Sequence, residues 1–530
     1  MTEPWWKSGI VYQVYPRSFQ DSDGDGIGDL KGITGRLPYL AGLGVDAVWI
    51  SPIFPSPMAD FGYDVSDYCG VDPIFGELAD IDALVARAHG LGLKVILDFV
   101  PNHTSEQHPW FVESRSSRAS PRRDWYIWRD PAPGGGPPNN WLAHFGGSAW
   151  EWDEASGQYY YHAYLKQQPD LNWRNPAVRA AMKDVLRFWM RRGVDGFRID
   201  VLWHLIKDAA FRDNPPNPDF HPGQAGIERL LQTRSTDQPE VHEIAAELRR
   251  VADEFPERVL IGEIYLPVER LVDYYGAHLD GVQMPFNFQL LETPWRARDI
   301  AQVIERYEGL LPPGAWPNWV LGNHDRPRVA SRVGPEQARI AAMLLLTLRG
   351  TPTLYYGDEL GLENTPIPPD AVHDPWEKQE PGLGLGRDPV RTPMPWDGSP
   401  NAGFTTGAPW LPLNPDRRTR NVEASWSDER SILCLYRLLI NLRRATPALA
   451  FGDYAFVSAD DDVLVFERRH GTERALVACN FSSEPRRVHI RSGVFSQAAV
   501  PISTVKLEVD AVSGPDFTLS ADEGIVMIVR

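Results

Sequence analysis

Eight short stretches of this chain are almost continuously apolar: Val11–Pro16, Ala47–Ile53, Lys94–Val100, Gly196–Asp200, Val259–Ile264, Gly281–Phe286, Asn318–Asp325 and Thr351–Gly357. Alternation of apolar and polar positions would mark strands with one wet face. Unbroken runs predict strands covered on both faces, as in a parallel sheet. A helical period falls between most of them. Leu78, Ile81, Leu84, Val85, Ala88 and Leu91 share one helix face. So do Val178, Met182, Val185, Leu186 and Trp189, and a third set runs from Gln337 through Ala341, Leu344 and Leu345 to Leu348. Eight strand–helix units predict closure into a (β/α)8 TIM barrel. An open doubly wound sheet is disfavoured, because no glycine-rich dinucleotide fingerprint follows the first strand.

The intervals between the units are unequal. Residues 104–167 hold far more chain than a loop and a helix need, with a Pro/Gly-rich stretch and the run Tyr159-Tyr160-Tyr161. They predict an inserted subdomain B after strand three. Residues 212–223 and 360–425 predict further insertions after strands four and eight. All three rise from the same end of the barrel and could wall a pocket. The barrel is then expected over 1–103 and 168–450. From 451 to 530 the pattern changes to short strands at Tyr454–Val457, Val463–Glu467, Ala475–Asn480, Arg487–Ile490 and Ile525–Val529, which predict a C-terminal antiparallel β-sandwich domain.

Composition narrows the function classes. In 530 residues the formal charge is -18, which disfavours nucleic acid and anionic membranes as partners. Three cysteines without paired spacing argue against a disulfide framework or a zinc site. The N-terminus has no basic segment followed by an apolar one, so no signal peptide and a cytoplasmic location are expected. No apolar run is long enough to span a bilayer. Nothing in the chain decides between monomer and homodimer. The 19 tryptophans include residues that could stack on sugar rings, but packing accounts for most tryptophans and none is given a role.

Three carboxylates sit at or near strand ends, where a barrel of this kind keeps its chemistry. Asp200 lies two residues after Arg198, on the same strand face, so the guanidinium can hold it ionised; a purely structural ion pair has the same spacing. Glu263 lies in an apolar strand, where burial would raise its pKa; a strand-end cap is the alternative. Asp325 closes Asn323-His324-Asp325, which reads either as polar groups for a hydroxylated ligand or as a helix cap. Asp98, Asn102 and His103 close strand three in the same way. Four such endings are hard to explain as independent accidents. Separately, the loop from Asp21 to Asp29 places oxygen ligands at alternate positions, and reads as a divalent-cation loop for calcium or magnesium, with a solvated acidic turn as the alternative. It is not an EF-hand, because Gly32 stands where the bidentate glutamate would be.

With these residues in view, the chain resembles the α-amylase family of glycoside hydrolases, in its α-glucosidase and oligo-1,6-glucosidase branch. The matching motifs are Tyr12-Gln-Val-Tyr-Pro-Arg-Ser-Phe19, Phe61-Gly-Tyr-Asp64, Asp98-Phe-Val-Pro-Asn-His103, Gln168-Pro-Asp-Leu-Asn172, Gly196-Phe-Arg-Ile-Asp200, Gly262-Glu263, Asn323-His324-Asp325 and Arg391-Thr-Pro-Met394. The resemblance implies a retaining glucosidase with Asp200 as nucleophile, Glu263 as general acid/base and Asp325 as transition-state stabiliser. It implies that His103, Arg198 and His324 bind the sugar and the nucleophile and that Tyr63 stacks on the terminal glucose. Asp64 and Arg391 are expected to clasp its far hydroxyls, with Arg387 as the alternative arginine. Asp21, Asp23, Asp25, the Ile27 carbonyl and Asp29 correspond to the family's metal loop, implying a structural Ca2+ or Mg2+ and no organic cofactor. Val201, after the nucleophile, implies tolerance of α-1,6 linkages. The expected partners are small α-glucosides. A transglucosylase or a sucrose- or trehalose-converting enzyme would share every catalytic residue. A non-catalytic relative would have lost its carboxylates, which are present here.

Overall fold

The computed structural model describes residues 3–490, 497–507 and 511–529. Eight parallel strands close into a barrel: β1 (Val11–Val14), β2 (Ala47–Ile50), β3 (Lys94–Phe99), β4 (Gly196–Ile199), β5 (Val259–Ile264), β6 (Met284–Asn287), β7 (Asn318–Val320) and β8 (Thr351–Tyr355). Each pairs with its chain neighbours, and β1 pairs with β8 to close the ring. The predicted strands are all present, most of them shorter at their C-terminal ends, where the polar residues leave the ladder.

The side-chain period of two divides each strand between two environments. Val11, Ala47, Trp49, Ile96, Val259, Ile261, Met284, Phe286 and Val320 pack together inside the barrel. Their neighbours Val48, Val95, Leu97, Phe197 and Leu260 face outward against helix residues such as Leu40, Leu84, Leu186 and Leu248. The interior is therefore dry until the strands near their C-terminal ends, where Gln13, Asp98, Arg198 and Glu263 replace the apolar side chains. Asp98 is in register with Arg198, and Ile199 with Gly262. That register decides which charges meet. At Gly196 a Cβ would stand 2.3 Å from the Val259 carbonyl oxygen, so only glycine lets β4 lie this close to β5.

Helix boundaries follow local chemistry. Asp29 accepts the Gly32 amide at the start of Leu30–Leu43, and Gly44, at φ 100°, ends that helix. Asn175 caps Pro176–Arg191, with proline in the first turn.

Between β3 and β4 the inserted segment forms a helix, Pro109–Ser116, and a three-stranded antiparallel sheet of Trp128–Arg129, Gln158–Tyr161 and Trp150–Asp153. Trp141, Trp150 and Tyr161 are part of its buried core. At the C-terminus a six-stranded sheet (Asp453–Ala459, Val463–His470, Glu473–Asn480, Gly524–Val529, Gln497–Ser503 and Val512–Ser513) is faced by the ribbon Arg486–His489 and Asp516–Leu519. Val465, Leu476, Val488 and Leu519 belong to the core between them. Three of these strands, Gln497–Ser503, Val512–Ser513 and Asp516–Leu519, were not anticipated from the pattern. The three cysteines are free. Among the described residues no helix is long and apolar enough to cross a membrane.

Candidate active site

A cavity of about 200 Å³ opens at the C-terminal end of the barrel. That is below the ~300–1,000 Å³ of pockets for drug-sized ligands, and suits one small ring. Asp200, Glu263 and Asp325 all line it, with Tyr63, His103 and His324.

Arg198 organises its floor. Nη1 is 2.7 Å from Asp200 Oδ1 and 2.8 Å from Asp98 Oδ1, and Nη2 is 2.7 Å from Glu263 Oε2. One fully buried cation thus serves three carboxylates. Burial pushes the carboxyls of Asp98, Asp200 and Glu263 upward and Arg198 pulls each of them down, while neighbouring carboxylates push Asp200 and Glu263 up again. The three cannot all be ionised at small cost beside a single positive charge. The balance leaves all three carboxyls raised above their usual values. Among the described residues, Asp200 Oδ2 and Glu263 Oε1 accept no hydrogen bond and remain for a ligand.

Val201, next to Asp200, has φ 38° and ψ 47°, a left-handed conformation rare for a β-branched residue. This turn aims its amide at Glu263 Oε2, 2.9 Å away.

A second group of charges holds Asp325. Arg391 Nη2 lies 2.9 Å from Asp325 Oδ1, and Arg387 Nη1 lies 3.4 Å from the same oxygen. Burial opposes ionisation of Asp325, but His324, Arg387, Arg391 and Arg198 hold its carboxyl well below the usual range. Burial keeps His324 itself neutral near pH 7, so there the arginines supply the positive charge. His324 stacks against Tyr63 with centroids 5.4 Å apart, and its Nε2 is 2.7 Å from the Tyr63 hydroxyl, which donates to Asp98. His103 is within hydrogen-bond distance of the Tyr63 carbonyl, and burial lowers its pKa to about 4.

The expected clasp of Asp64 and Arg391 is corrected by this geometry. Asp64 is fully buried within its own loop, where it accepts the Ser56 hydroxyl and the Ala59 and Asp60 amides. Burial raises its pKa to about 6. Positive φ angles at Phe61 and Gly62 turn the chain so that Asp60 and Tyr63 face the cavity instead. Arg391 lies behind Asp325, its Nε donating to the His324 carbonyl. The pair in the cavity is Asp60 and Arg387, 2.8 Å apart, joining the loops after β2 and β8. The remaining wall contains His144, Phe145, Tyr164, Trp203, Tyr265, Glu292, Arg326 and Trp376. Most of these come from long loops, and no motif marked them.

The acidic loop lies apart from this cavity. Asp21, Asp23 and Asp29 bring carboxylate oxygens within 4.8 Å of one another; Asp25 is outside that trio. Asp21 also accepts the Asp23, Gly24 and Gly26 amides and the Thr405 hydroxyl.

A closed parallel barrel with buried, cation-linked carboxylates at its C-terminal mouth has the layout of an enzyme active site. The family profile described as "Alpha amylase, catalytic domain" matches residues 13–452. The chain is 45% identical over 499 residues to a probable alpha-glucosidase of Rhizobium meliloti, covering 91% of this chain and 90% of that one. It is 39% identical to an oligo-1,6-glucosidase of Parageobacillus thermoglucosidasius, covering 91% and 92%. Among solved structures it is similar to an alpha-glucosyl transfer enzyme, XgtA, at a TM-score of 0.95 with 42% identity over the whole of both chains. It is also similar to the trehalulose synthase MutB of Pseudomonas mesoacidophila MX-45, at a TM-score of 0.92 with 36% identity, again over the whole of both chains. The chain belongs to the α-amylase family of glycoside hydrolases.

Asp60 and Asp64, four residues apart, are expected to separate cleanly. Asp60→Ala should raise KM for an α-glucoside about tenfold or more with the fold retained. Asp64→Ala should lower stability by about 2 kcal/mol in denaturant titration, because three donors lose their acceptor. The reverse pattern would restore Asp64 to the clasp.

Proposed function

We propose that the protein is an exo-acting, retaining α-glucosidase. It releases glucose from the non-reducing end of small α-glucosides such as maltose, isomaltose, sucrose and trehalose, through a covalent glucosyl-enzyme. The observation that carries this reading is the Asp60–Arg387 ion pair lining a cavity of one-ring size. A terminal glucose fits there, with Tyr63 as the stacking surface and Asp60 and Arg387 as partners for its far hydroxyls.

Asp200 attacks the anomeric carbon through its free Oδ2, and Glu263 protonates the leaving oxygen through Oε1. Deprotonated Glu263 then activates the water that releases glucose. Retention is supported by the short reach between the two groups, which are bonded to adjacent nitrogens of one guanidinium. A retaining pair is ~5–5.5 Å apart and an inverting pair ~6.5–9.5 Å. Asp325, kept ionised by its arginines, stabilises the oxocarbenium-like charge.

Glu263→Gln should lower kcat on maltose about a thousandfold and abolish the alkaline limb of the pH profile. The sign follows from the roles: activity falls at high pH as Glu263 loses its proton and at low pH as Asp200 gains one. A p-nitrophenyl glucoside, whose leaving group needs no proton, should be affected less. An unchanged alkaline limb in the variant would remove Glu263 from the role.

Similarity to a transfer enzyme and a trehalulose synthase supports a second reading, in which a sugar rather than water intercepts the intermediate. The two readings differ in the wall formed by Phe145, Tyr265, Glu292, Arg326 and Trp376. Incubation with sucrose and maltose should yield free monosaccharides in stoichiometric amounts. A persistent new disaccharide without net glucose release would favour transfer.

Asp21, Asp23 and Asp29 of the acidic loop would hold a structural Ca2+ or Mg2+, with Asp25 and the Ile27 carbonyl as further candidate ligands. The donors are hard oxygens, as these cations require. Burial and then the charges of Asp23, Asp21 and Asp29 raise Asp25, and none of the four aspartates forms an ion pair among the described residues. Chelation should lower Tm by a few degrees, reversibly with calcium or magnesium. Asp23→Ala should lose that response; an unchanged response would place the cation elsewhere.

A further inference from the structure

A second cavity, about 380 Å³, lies between the inserted segment and the chain that follows β4. In a protein of charge -18 its lining is unexpectedly basic: Arg118, Arg123, Arg129, Arg174 and Lys207 against one carboxylate, Asp124. Three of these cations are neutralised locally. Arg118 pairs with Asp130, Arg174 with Glu240, and buried Lys207 with Asp170. Arg123 and Arg129 are not; neither makes an ion pair among the described residues. Arg123 donates to the Ser114 carbonyl and Gln158 Oε1 and lies 3.4 Å from the Trp128 ring centroid. Its Nε is buried without a partner. Arg129 donates only to the Trp128 carbonyl and stacks 3.8 Å from the Phe211 centroid. Burial lowers the pKa of both, that of Arg123 to about 10.

Arg123, partly buried, and Arg129, exposed, each lie against an aromatic ring in the wall of one cavity, and neither has an ion-pair partner among the described residues, so the cavity offers two cations to an anion. Guanidinium donors suit phosphoryl oxygens, and Ile127, Phe211 and Gln158 supply further wall for an attached group. The cavity's far side is the back of the active-site wall, since Lys207 also donates to Asn102, whose amide lies 3.2 Å from His103 Nδ1.

We propose that this cavity binds a phosphoryl group, carried by a small sugar phosphate or present as the free ion, through Arg123 and Arg129. The test is isothermal titration of the full-length protein with glucose 6-phosphate, inorganic phosphate and, as control, glucose. At least one phosphorylated probe should bind one per chain with a submillimolar dissociation constant, weakening with added salt. Tighter binding of glucose 6-phosphate would assign the site to a sugar phosphate; equal binding would assign it to the free ion. Arg129→Gln and, separately, Arg123→Gln should each weaken binding about tenfold or more. Arg129→Gln, whose guanidinium makes only one hydrogen bond, guards against a folding defect, and unchanged turnover of an α-glucoside reports an intact barrel. Absence of binding by both phosphorylated probes, or unchanged binding in a folded Arg129→Gln protein, would overturn the proposal.

Discussion

Arg198 is the one interaction on which the upper half of this barrel depends. It is buried, it has three carboxylate partners, and it stands where the apolar filling of the barrel stops. A lone carboxylate at this depth would take up a proton, and a lone guanidinium would carry a large desolvation cost. Together they form a cluster whose net charge is still negative, and that residual charge is what the site uses. In the proposed reaction, positive charge developing at a sugar carbon would be attracted to it.

The Asp325 cluster balances the same forces differently. Here two arginines, Arg387 and Arg391, share one carboxylate, with neutral His324 beside it. The result is an ionised aspartate on one side of the cavity and a proton-sharing group on the other. Two populations of carboxylates, separated by the number of guanidiniums each can reach, give one small pocket both acidic and ionised groups at the same pH. The hydroxyl of Tyr63 links them, since it contacts His324 and Asp98 together.

The barrel was legible because its strands are buried on both faces and therefore unbroken in hydrophobicity. The carboxylates were legible because each interrupts or ends such a run. What failed is instructive at two places. Asp60 stands just before the Phe61–Asp64 motif and was passed over, since composition cannot say which of two acids four residues apart faces the cavity. The backbone at Phe61 and Gly62 decides it, through positive φ angles that turn one acid outward and use the other to hold the loop. Arg387 and Arg391 are likewise four residues apart around one helical turn, Asp388–Val390, so one reaches the cavity and the other supports it from behind. Trp376, His144 and Phe145 were beyond reach for a different reason: their loops are far apart in sequence and meet only in the folded chain. In the C-terminal sheet, the missed strand Asp516–Leu519 has one fully buried residue, too few to set a pattern.

Val201 shows how the two halves of the chemistry are tied together. Its left-handed backbone costs about 1–3 kcal/mol for a β-branched residue, and such a cost persists only where the surroundings enforce it. The enforcement is visible on both sides. Before it, the Asp200 amide donates to the Phe99 carbonyl, at 2.8 Å, which holds the turn to β3. After it, the His204 amide donates to the Val201 carbonyl, at 2.9 Å. The strained amide between them then has a single direction, towards Glu263. Relaxing Val201 to an extended conformation would withdraw one of the two donors of Glu263 Oε2 and leave Arg198 alone to position it. The strain is therefore a coupling: the turn that ends β4 and presents Asp200 is the same turn that orients Glu263 on β5.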